Sequence, residues 1–164
     1  MKKFLITVGS TNFKFARLFK IIDELIEEGI LKAEEVIAQT GIKSYQIKNY
    51  ENFEFATHEE MSVLQQNAEV IICHAGTGTV TGSLLKGKKV IVFPRLKQFN
   101  EHESDNQLEL ATAFKDAGFV SFATDKESLV NAINSLSTFC PKQFVSNNKN
   151  FLNILRGVLQ DGEN

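Results

Sequence analysis

Short apolar runs alternate with amphipathic helical patterns along almost the whole chain, and this alternation restricts the fold more than any other feature. The strand-like runs are Phe4–Val8, Val36–Gln39, Phe53–Phe55, Val70–Cys73, Lys89–Phe93 and Phe119–Phe122. Between the first two runs, apolar residues recur from Phe15 to Ile26 at the three- and four-residue spacing of a helix. Regular strand–helix alternation predicts a parallel sheet with helices on both faces. We therefore expect an α/β fold, a single Rossmann-like domain over residues 1–164.

Local patterns also predict where helices begin. A capping box pairs a serine or threonine with a glutamate or glutamine three residues later. The pairs that fit it are Thr57 with Glu60, Ser104 with Gln107, and Thr124 with Glu127. We expect a helix to begin just after the first residue of each pair.

The composition excludes several classes of protein. A formal net charge of −2 provides no excess of positive charge for binding nucleic acid. Two cysteines, Cys73 and Cys140, are too few for a disulfide scaffold and fit a reducing compartment. The apolar run after Met1 is too short for a secretory signal, and no run has the length needed to cross a bilayer. We expect a soluble, cytoplasmic chain that reaches a membrane only through a partner or a surface.

The run Val70–Cys73 ends in a glycine- and threonine-rich turn, His74 to Thr79, and a helical pattern follows from Val80 to Leu85. Free backbone N–H groups and the helix dipole favour an anion at a helix N-terminus. The glycines let the backbone approach a ligand closely, and the threonine hydroxyls can donate to phosphate oxygens. The turn lacks the Gly-Lys-Ser/Thr ending of a Walker loop and the acidic partner of a dinucleotide fingerprint. It predicts a phosphate site, or else a tight turn whose glycines serve only the backbone.

A second polar segment, from Pro94 to Gln107, joins the next strand to the next helix. In a parallel sheet this segment lies at the same edge as the glycine turn. Its cations, carboxylates and amides are Arg95, Lys97, Glu101, Glu103, Asn106 and Gln107. Such a segment can hydrogen-bond a sugar. The alternative, a solvated loop with a helix cap, explains Ser104 and Gln107 but not the density of other polar groups.

Together the two segments resemble a known family. The spacing His-Ala-Gly-x-Gly, then Gly-Lys-Lys, then Pro-Arg, then Asn-Glu-His-x-x-Asp-Asn-Gln-Leu-Glu-Leu-Ala is similar to the C-terminal, donor-binding half of family 28 glycosyltransferases. The likeness is nearest to the small soluble subunits of two-component enzymes of bacterial exopolysaccharide and capsule synthesis, and to their eukaryotic N-acetylglucosaminyltransferase counterpart. The resemblance implies a fold equivalent to the C-terminal half of a GT-B glycosyltransferase.

The resemblance also implies a nucleotide-sugar site at this edge of the sheet. By matching position, its donor-binding residues would be Gly9, Ser10, Thr11, His74, Gly76, Thr77, Gly78, Thr79, Arg95, His102, Glu103, Asn106 and Gln107. The glycine turn would hold the diphosphate, and the residues from His102 to Gln107 would face the donor sugar and its diphosphate. Many family members have a glutamate for the ribose where this chain has Gly82. Ribose recognition must then come from elsewhere or be weaker.

No metal and no cofactor is expected. There is no Asp-x-Asp, and His58, His74 and His102 lack the close spacing of metal ligands. The resemblance implies that a helix N-terminus and local cations stabilise the leaving nucleoside diphosphate. Transfer with inversion needs a base for the acceptor hydroxyl. His102 and Glu103 are candidates for that base and also for sugar contacts, and a partner subunit could supply the base instead.

We therefore expect the donor-binding subunit of a two-component inverting glycosyltransferase. It would transfer a sugar from a UDP-sugar to a lipid-linked saccharide in surface polysaccharide synthesis. Its partner would be a membrane-anchored, acceptor-binding subunit at the inner face of the plasma membrane.

Three points stay open at this stage. A C-terminal helix over about 146–160, with an apolar stripe, would dock that partner or pack on the chain's own sheet. The chain could also be a non-catalytic activator of a partner glycosyltransferase. A third hypothesis is that the chain is a stand-alone α/β domain that binds another phosphorylated ligand, such as a nucleotide.

Overall fold

Six short strands form one parallel sheet in the computed structural model, which describes residues 2–9, 13–42 and 44–145. The strands are β1 (Phe4–Thr7), β2 (Val36–Gln39), β3 (Glu51–Phe53), β4 (Val70–Cys73), β5 (Lys89–Val92) and β6 (Ser121–Phe122). Their order in the sheet is β3-β2-β1-β4-β5-β6, and every neighbouring pair is parallel. The predicted α/β class with a parallel sheet is confirmed.

Five α-helices accompany the strands within the described residues, and the last of them follows β6. They are α1 (Ala16–Glu27), α2 (His58–Asn67), α3 (Thr77–Leu85), α4 (Asn106–Asp116) and α5 (Lys126–Asn134), with short 3-10 helices at Ala33–Glu35, Lys97–Phe99 and Ser135–Ser137. None of these helices combines the length and the apolar character that crossing a membrane requires. The predicted C-terminal helix over about 146–160 lies outside the described residues.

Alternate residues of the central strands pack on opposite faces of the sheet, as the period of two in a strand requires. In β1, Phe4 and Ile6 belong to one apolar cluster and Leu5 to the other, and all three are buried. The first cluster includes residues of α1 and α5, and the second includes residues of α2, α3 and α4. Helices therefore cover both faces, and the polar loops at the ends of the strands are left for function.

One of the three predicted capping boxes forms where it was expected. The Thr57 hydroxyl accepts the Glu60 N–H at 3.2 Å, and the Glu60 carboxylate accepts the Thr57 N–H at 2.7 Å. At α5 the prediction was wrong by one residue, because the Asp125 carboxylate caps the helix by accepting the Ser128 N–H at 2.8 Å.

The predicted box at Ser104 and Gln107 was wrong for a different reason. Helix α4 begins at Asn106, and no side chain caps it. The Gln107 carbonyl oxygen instead accepts the backbone N–H of Arg95 at 3.2 Å, and the Asp105 carboxylate accepts that of Lys97 at 3.0 Å. Gln107, which was expected to complete the capping box, therefore holds the preceding loop together with Asp105.

Several bounds also differ from the prediction. Strand β3 occupies Glu51–Phe53 rather than Phe53–Phe55, because the register pairs Ile37 with Glu51 and leaves Phe55 exposed. Strand β6 is reduced to Ser121–Phe122. Helix α3 begins at Thr77 rather than Val80, so both threonines of the glycine turn belong to its first turn.

The order in which successive strands are added to the sheet reverses at the boundary between β1 and β4. After β1 the chain continues to β2 on one side, and after β4 it continues to β5 on the other side. Thr7, the last residue of β1, pairs with Cys73, the last residue of β4. In open α/β sheets, ligands bind outside the carboxyl ends of the strands at such a switch point.

Candidate functional site

The loops that follow β1, β4 and β5 meet at the carboxyl edge of the sheet, which we call the rim. The Thr7 carbonyl accepts the His74 N–H at 3.4 Å, and the Cys73 carbonyl accepts the Phe93 N–H at 2.7 Å. These bonds bring Gly9, the turn at residues 74–79 and the segment at residues 94–107 to the same edge. Ser10 and Thr11, two further predicted site residues, lie outside the described residues.

The N-terminus of α3 opens directly onto the rim. Gly76 occupies the N-cap position, no side chain caps the helix, and its first turn contains no acidic residue. Thr77 and Gly78 are exposed and Thr79 is half-buried. The first backbone N–H groups of a helix have no partner within the helix, and its dipole is positive there. The arrangement can therefore receive an anion.

The imidazole of His74 lies between the loops after β1 and β4. A Cβ atom built on Gly9 would lie 2.8 Å from His74 Cε1, and one built on Gly76 would lie 2.3 Å from His74 Nε2. Real Cβ contacts are never this short, so both positions need glycine while the ring stays in place. Gly9 also has a φ of 72°, which disfavours any other residue. The position of the His74 ring thus requires glycine at one position in each of the two loops.

Burial keeps this imidazole neutral. His74 is 6% exposed, and its Nδ1 has no hydrogen-bond partner among the described residues. Desolvation, followed by the nearby Arg95 cation, lowers the pKa of His74 from 6.5 to about 4. A predicted contact of the diphosphate is therefore a neutral group beneath the loops and not an exposed cation.

Gln39, the last residue of β2, joins the loops after β1 and β3. Its carbonyl oxygen accepts the Thr7 hydroxyl at 2.8 Å and the Gly9 N–H at 3.1 Å. Its amide nitrogen donates to the Gly9 carbonyl at 3.0 Å and to the Glu54 carbonyl at 2.9 Å. This residue was not predicted from the sequence, although an amide ending the otherwise apolar run Val36–Gln39 was a usable signal.

Arg95, a predicted donor-binding residue, is wholly buried beneath the rim. Its Nη2 donates to the Val8 carbonyl at 2.8 Å, and its guanidinium lies 5.2 Å from the centre of the Phe15 ring. Its Nε and Nη1 have no partner within the described part of the chain. Burial lowers the pKa of Arg95 to about 10, with the Glu101 carboxylate opposing that shift. Arg95 is thus placed to hold the backbone after β1.

A second buried charge holds the segment after β5. Both oxygens of the Glu101 carboxylate accept from Arg17, at 2.9 Å and 2.8 Å. The same carboxylate accepts the Leu96 N–H at 3.1 Å, and Arg17 also donates to the Pro94 carbonyl at 3.0 Å. Glu101 is 5% exposed, so these contacts position the loop from within. Glu101 was recognised in the sequence as one of the polar groups of this segment, but this positioning role was not predicted.

The remaining predicted residues lie on the β5 side of the rim. His102 is half-buried, with its ring 4.6 Å from that of Phe13 and its Nδ1 3.2 Å from the Ser104 nitrogen. Glu103 and Asn106 are exposed, whereas Gln107 is half-buried and bound to the Arg95 backbone. His102, Glu103 and Asn106 therefore remain available to a ligand.

A cleft of about 410 Å³ lies on the other side of the α3 N-terminus, towards α2. Gly9, Gly78, Thr79 and Gly82 line it, and residues of the segment 94–107 do not. The N-terminus of α3 thus separates this cleft from the β5 side of the rim. A larger cavity of about 850 Å³ lies at the opposite edge, where Phe4, Val70 and Lys89 begin their strands, and contains none of the predicted site residues.

Within residues 2–9, 13–42 and 44–145, no group of three or more histidine, cysteine, aspartate or glutamate residues could hold a metal ion. The start of α3 can bind an anion, and polar groups on either side of it can form hydrogen bonds.

The sequence matches the family model of the glycosyltransferase family 28 C-terminal domain over residues 4–160. The chain belongs to this family. No curated protein matches the chain at a significant level.

Solved structures share the fold of this family 28 domain. The NMR solution structure of ALG13 has a TM-score of 0.61 at 21% identity, and the match covers 94% of each chain. The glycotransferase of kitacinnamycin has a TM-score of 0.62 at 16% identity, covering 98% of this chain and 39% of that one. Methanocaldococcus jannaschii UDP-GlcNAc 2-epimerase, in complex with UDP-GlcNAc and UDP, has a TM-score of 0.61 at 18% identity, covering 97% and 45%. The domain therefore spans less than half the length of the last two proteins.

The buried imidazole predicts a specific pH dependence for this family 28 domain. Between pH 6.5 and about 4, folded His74 stays neutral while unfolded His74 binds a proton, so stability falls as the pH falls. We expect the free energy of unfolding to drop by about 2 kcal/mol between pH 7 and pH 5 because of this residue. Urea unfolding at the two pH values measures the drop, and His74→Asn should remove most of it. An equal drop in this variant would contradict the account.

Proposed function

We propose that this domain binds the donor of a sugar-transfer reaction, a UDP-sugar, with the diphosphate at the N-terminus of α3. The observation that carries the proposal is the start of α3, which has no side-chain cap and lies at the switch point of the sheet. Thr77 and Gly78, in the first turn of this helix, are both exposed. Helix N-termini of this kind bind phosphate groups in many α/β proteins. Membership of a glycosyltransferase family supports a sugar nucleotide over other phosphorylated ligands.

The same feature assists the reaction. Negative charge builds on the diphosphate as the bond to the sugar breaks, and donors already aimed at that position stabilise it. The N–H groups of the first turn of α3 and the hydroxyls of Thr77 and Thr79 fill this role. The neutral His74 contributes by fixing the loops through Gly9 and Gly76. No metal ion is required in this scheme.

The donor sugar then extends towards the β5 side of the rim. Glu103 and Asn106 are exposed there, and the half-buried His102 lies beside them in the chain. Hydroxyl groups of a sugar suit these carboxylate, amide and imidazole partners. His102 and Glu103 are also the candidates in this chain for the base that takes the proton of the acceptor hydroxyl.

We further propose that the acceptor site lies on a second, membrane-anchored subunit. The described residues form one α/β domain, and of the residues assigned above only the candidate bases His102 and Glu103 would also meet the acceptor. The sequence resembles the small subunits of two-component enzymes, and ALG13 shares the fold over 94% of each chain. The acceptor would be a lipid-linked saccharide of surface polysaccharide synthesis, and the partner would recruit this domain to the inner face of the membrane.

Three threonines of α3 provide a test of the diphosphate site with a matched control. We expect the double variant Thr77→Ala, Thr79→Ala to bind UDP at least about tenfold more weakly, because the removal of each hydroxyl eliminates a hydrogen bond to the charged diphosphate. Thr81→Ala should bind as the wild type does, because that hydroxyl donates to the Thr77 carbonyl of its own helix at 2.8 Å. Calorimetry with UDP, NAD and ATP measures both effects. Tighter binding of NAD or ATP than of UDP would contradict the proposal.

A transfer assay tests the division of labour between the subunits. We expect sugar transfer to a lipid-linked acceptor only when the domain is co-expressed with its membrane-anchored partner. In that complex the double variant Thr77→Ala, Thr79→Ala should lose most of the activity and Thr81→Ala should keep it. Full activity of the double variant would mean that this domain only activates its partner.

A further inference from the structure

A shallow apolar groove lies between α2 and β3, and the site described so far makes no use of it. Its volume is about 610 Å³. Ile37 of β2, Phe53 of β3, Val63 and Leu64 of α2, and Phe55 after β3 line it. In the described part of the chain β3 is the last strand on its side of the sheet. The groove therefore opens at an edge of the domain, where another molecule can reach it.

Two large apolar side chains of this groove are exposed to solvent. Phe55 is 55% exposed and Val63 is 58% exposed, and both are on the same groove. Single exposed apolar residues are ordinary on a protein surface, whereas a contiguous apolar patch marks an interaction site. The groove is therefore an interaction surface.

The charged residues of the groove all have the same sign. Glu59 and Glu60, in the first turn of α2, line it and are exposed. The backbone N–H of Thr57 donates to the Glu60 carboxylate at 2.7 Å and lowers the pKa of that group, which keeps it charged. Among the described residues, no lysine or arginine lines the groove. The complementary surface is therefore apolar and positively charged.

This charge argues against a second copy of the chain and against lipid as the occupant. A second copy would bring the same carboxylates to the groove, and like charges across an interface are unfavourable. Anionic lipid headgroups would be repelled in the same way.

The end of the described chain also lies far from the groove. Phe144 packs on Phe119, just before β6, with 5.4 Å between the ring centres. Strands β6 and β3 form opposite edges of the sheet, five strand spacings or about 24 Å apart. A segment of a second protein is therefore favoured over the chain's own residues after Val145.

We propose that the groove docks an amphipathic helix of the membrane-anchored partner, rich in lysine and arginine and next to its anchor. The inference rests on the proposed function, because that function requires an anchored partner. Segments beside a membrane anchor carry an excess of lysine and arginine on the cytoplasmic side. An amphipathic helix binds a groove by placing its apolar face inside it. That face covers Phe55 and Val63, and the cations pair with Glu59 and Glu60.

A helix in this groove lies beside the donor site without covering the proposed sugar contacts. The loop after β3 is joined to the rim, because the Gln39 amide nitrogen donates to the Glu54 carbonyl at 2.9 Å. His102 and Glu103 follow β5, on the other side of β1 and β4 in the sheet. Docking therefore places the partner next to the donor site and leaves the sugar contacts open to the acceptor.

Two surface substitutions in the groove test the docking. We expect Val63→Ser and Glu59→Lys each to weaken the complex with the membrane-anchored subunit at least about tenfold. The first substitution removes an apolar contact, and the second replaces an attraction with a repulsion. Titration of the full chain with the detergent-solubilised partner measures the affinity.

Leu85→Ser and Glu127→Lys are the matched controls. Leu85 is 57% exposed, close to the value for Val63, and Glu127 is the second residue of its helix, as Glu59 is. Neither control residue lines the groove, so both variants should bind the partner as the wild type does. An unchanged complex in both groove variants would overturn the docking site.

Calorimetry with UDP separates this inference from the proposed function. All four variants should bind UDP as the wild type does, because none of the substituted residues belongs to the proposed donor site. A wild-type chain that binds UDP but not the anchored subunit would overturn the docking and leave donor binding intact. A wild-type chain that does not bind UDP would overturn the proposed function and this inference with it.

A photochemical cross-link identifies the occupant even if a substitution weakens the complex or the fold. A benzophenone group in place of the Val63 side chain should cross-link to a lysine- and arginine-bearing segment next to the partner's anchor. The same group in place of the Leu85 side chain should not. Cross-links from position 63 to a phospholipid, to a second copy or to the chain's own residues after Val145 would overturn the proposal.

Discussion

The contact of one buried imidazole with two glycines sets the geometry on which the rest of the rim depends. The ring of His74 occupies the space where side chains at Gly9 and Gly76 would lie. The loops after β1 and β4 can therefore approach each other, and the start of α3 comes to the switch point of the sheet. The contact needs a neutral ring, because a buried charge there would be close to Arg95.

Polar groups beneath the rim hold its backbone, and the groups above it are left for a ligand. Gln39 binds the loop after β1 from below, and Glu101 with Arg17 binds the loop after β5. Burying such charges is costly unless they are paired and hydrogen-bonded, and Glu101 meets both conditions. The exposed Thr77 and Gly78 are not needed for this support, so they are free to contact a phosphate.

The sequence predicted those parts of the structure that depend on local pattern. Alternating apolar runs located β2 and β4 at their observed bounds, and the strand–helix alternation implied that the two polar segments share an edge. Side chains with two competing partners were harder to predict. Gln107 fits a helix cap by spacing but binds the Arg95 backbone, a contact that depends on the folded loop. Gln39 ends an otherwise apolar run, but its role follows only from its partners on β1 and after β3, which the sequence does not place beside it.

The central claim is that the start of α3 receives the diphosphate of a nucleotide, and mapping of backbone amide shifts by NMR during a UDP titration tests it most directly. We expect saturable shifts of the amides of Gly9, Gly76, Thr77 and Gly78, with little change at Lys88 on the opposite edge of the sheet. Saturable shifts confined to that opposite edge, with the amides of the rim unchanged, would contradict the account.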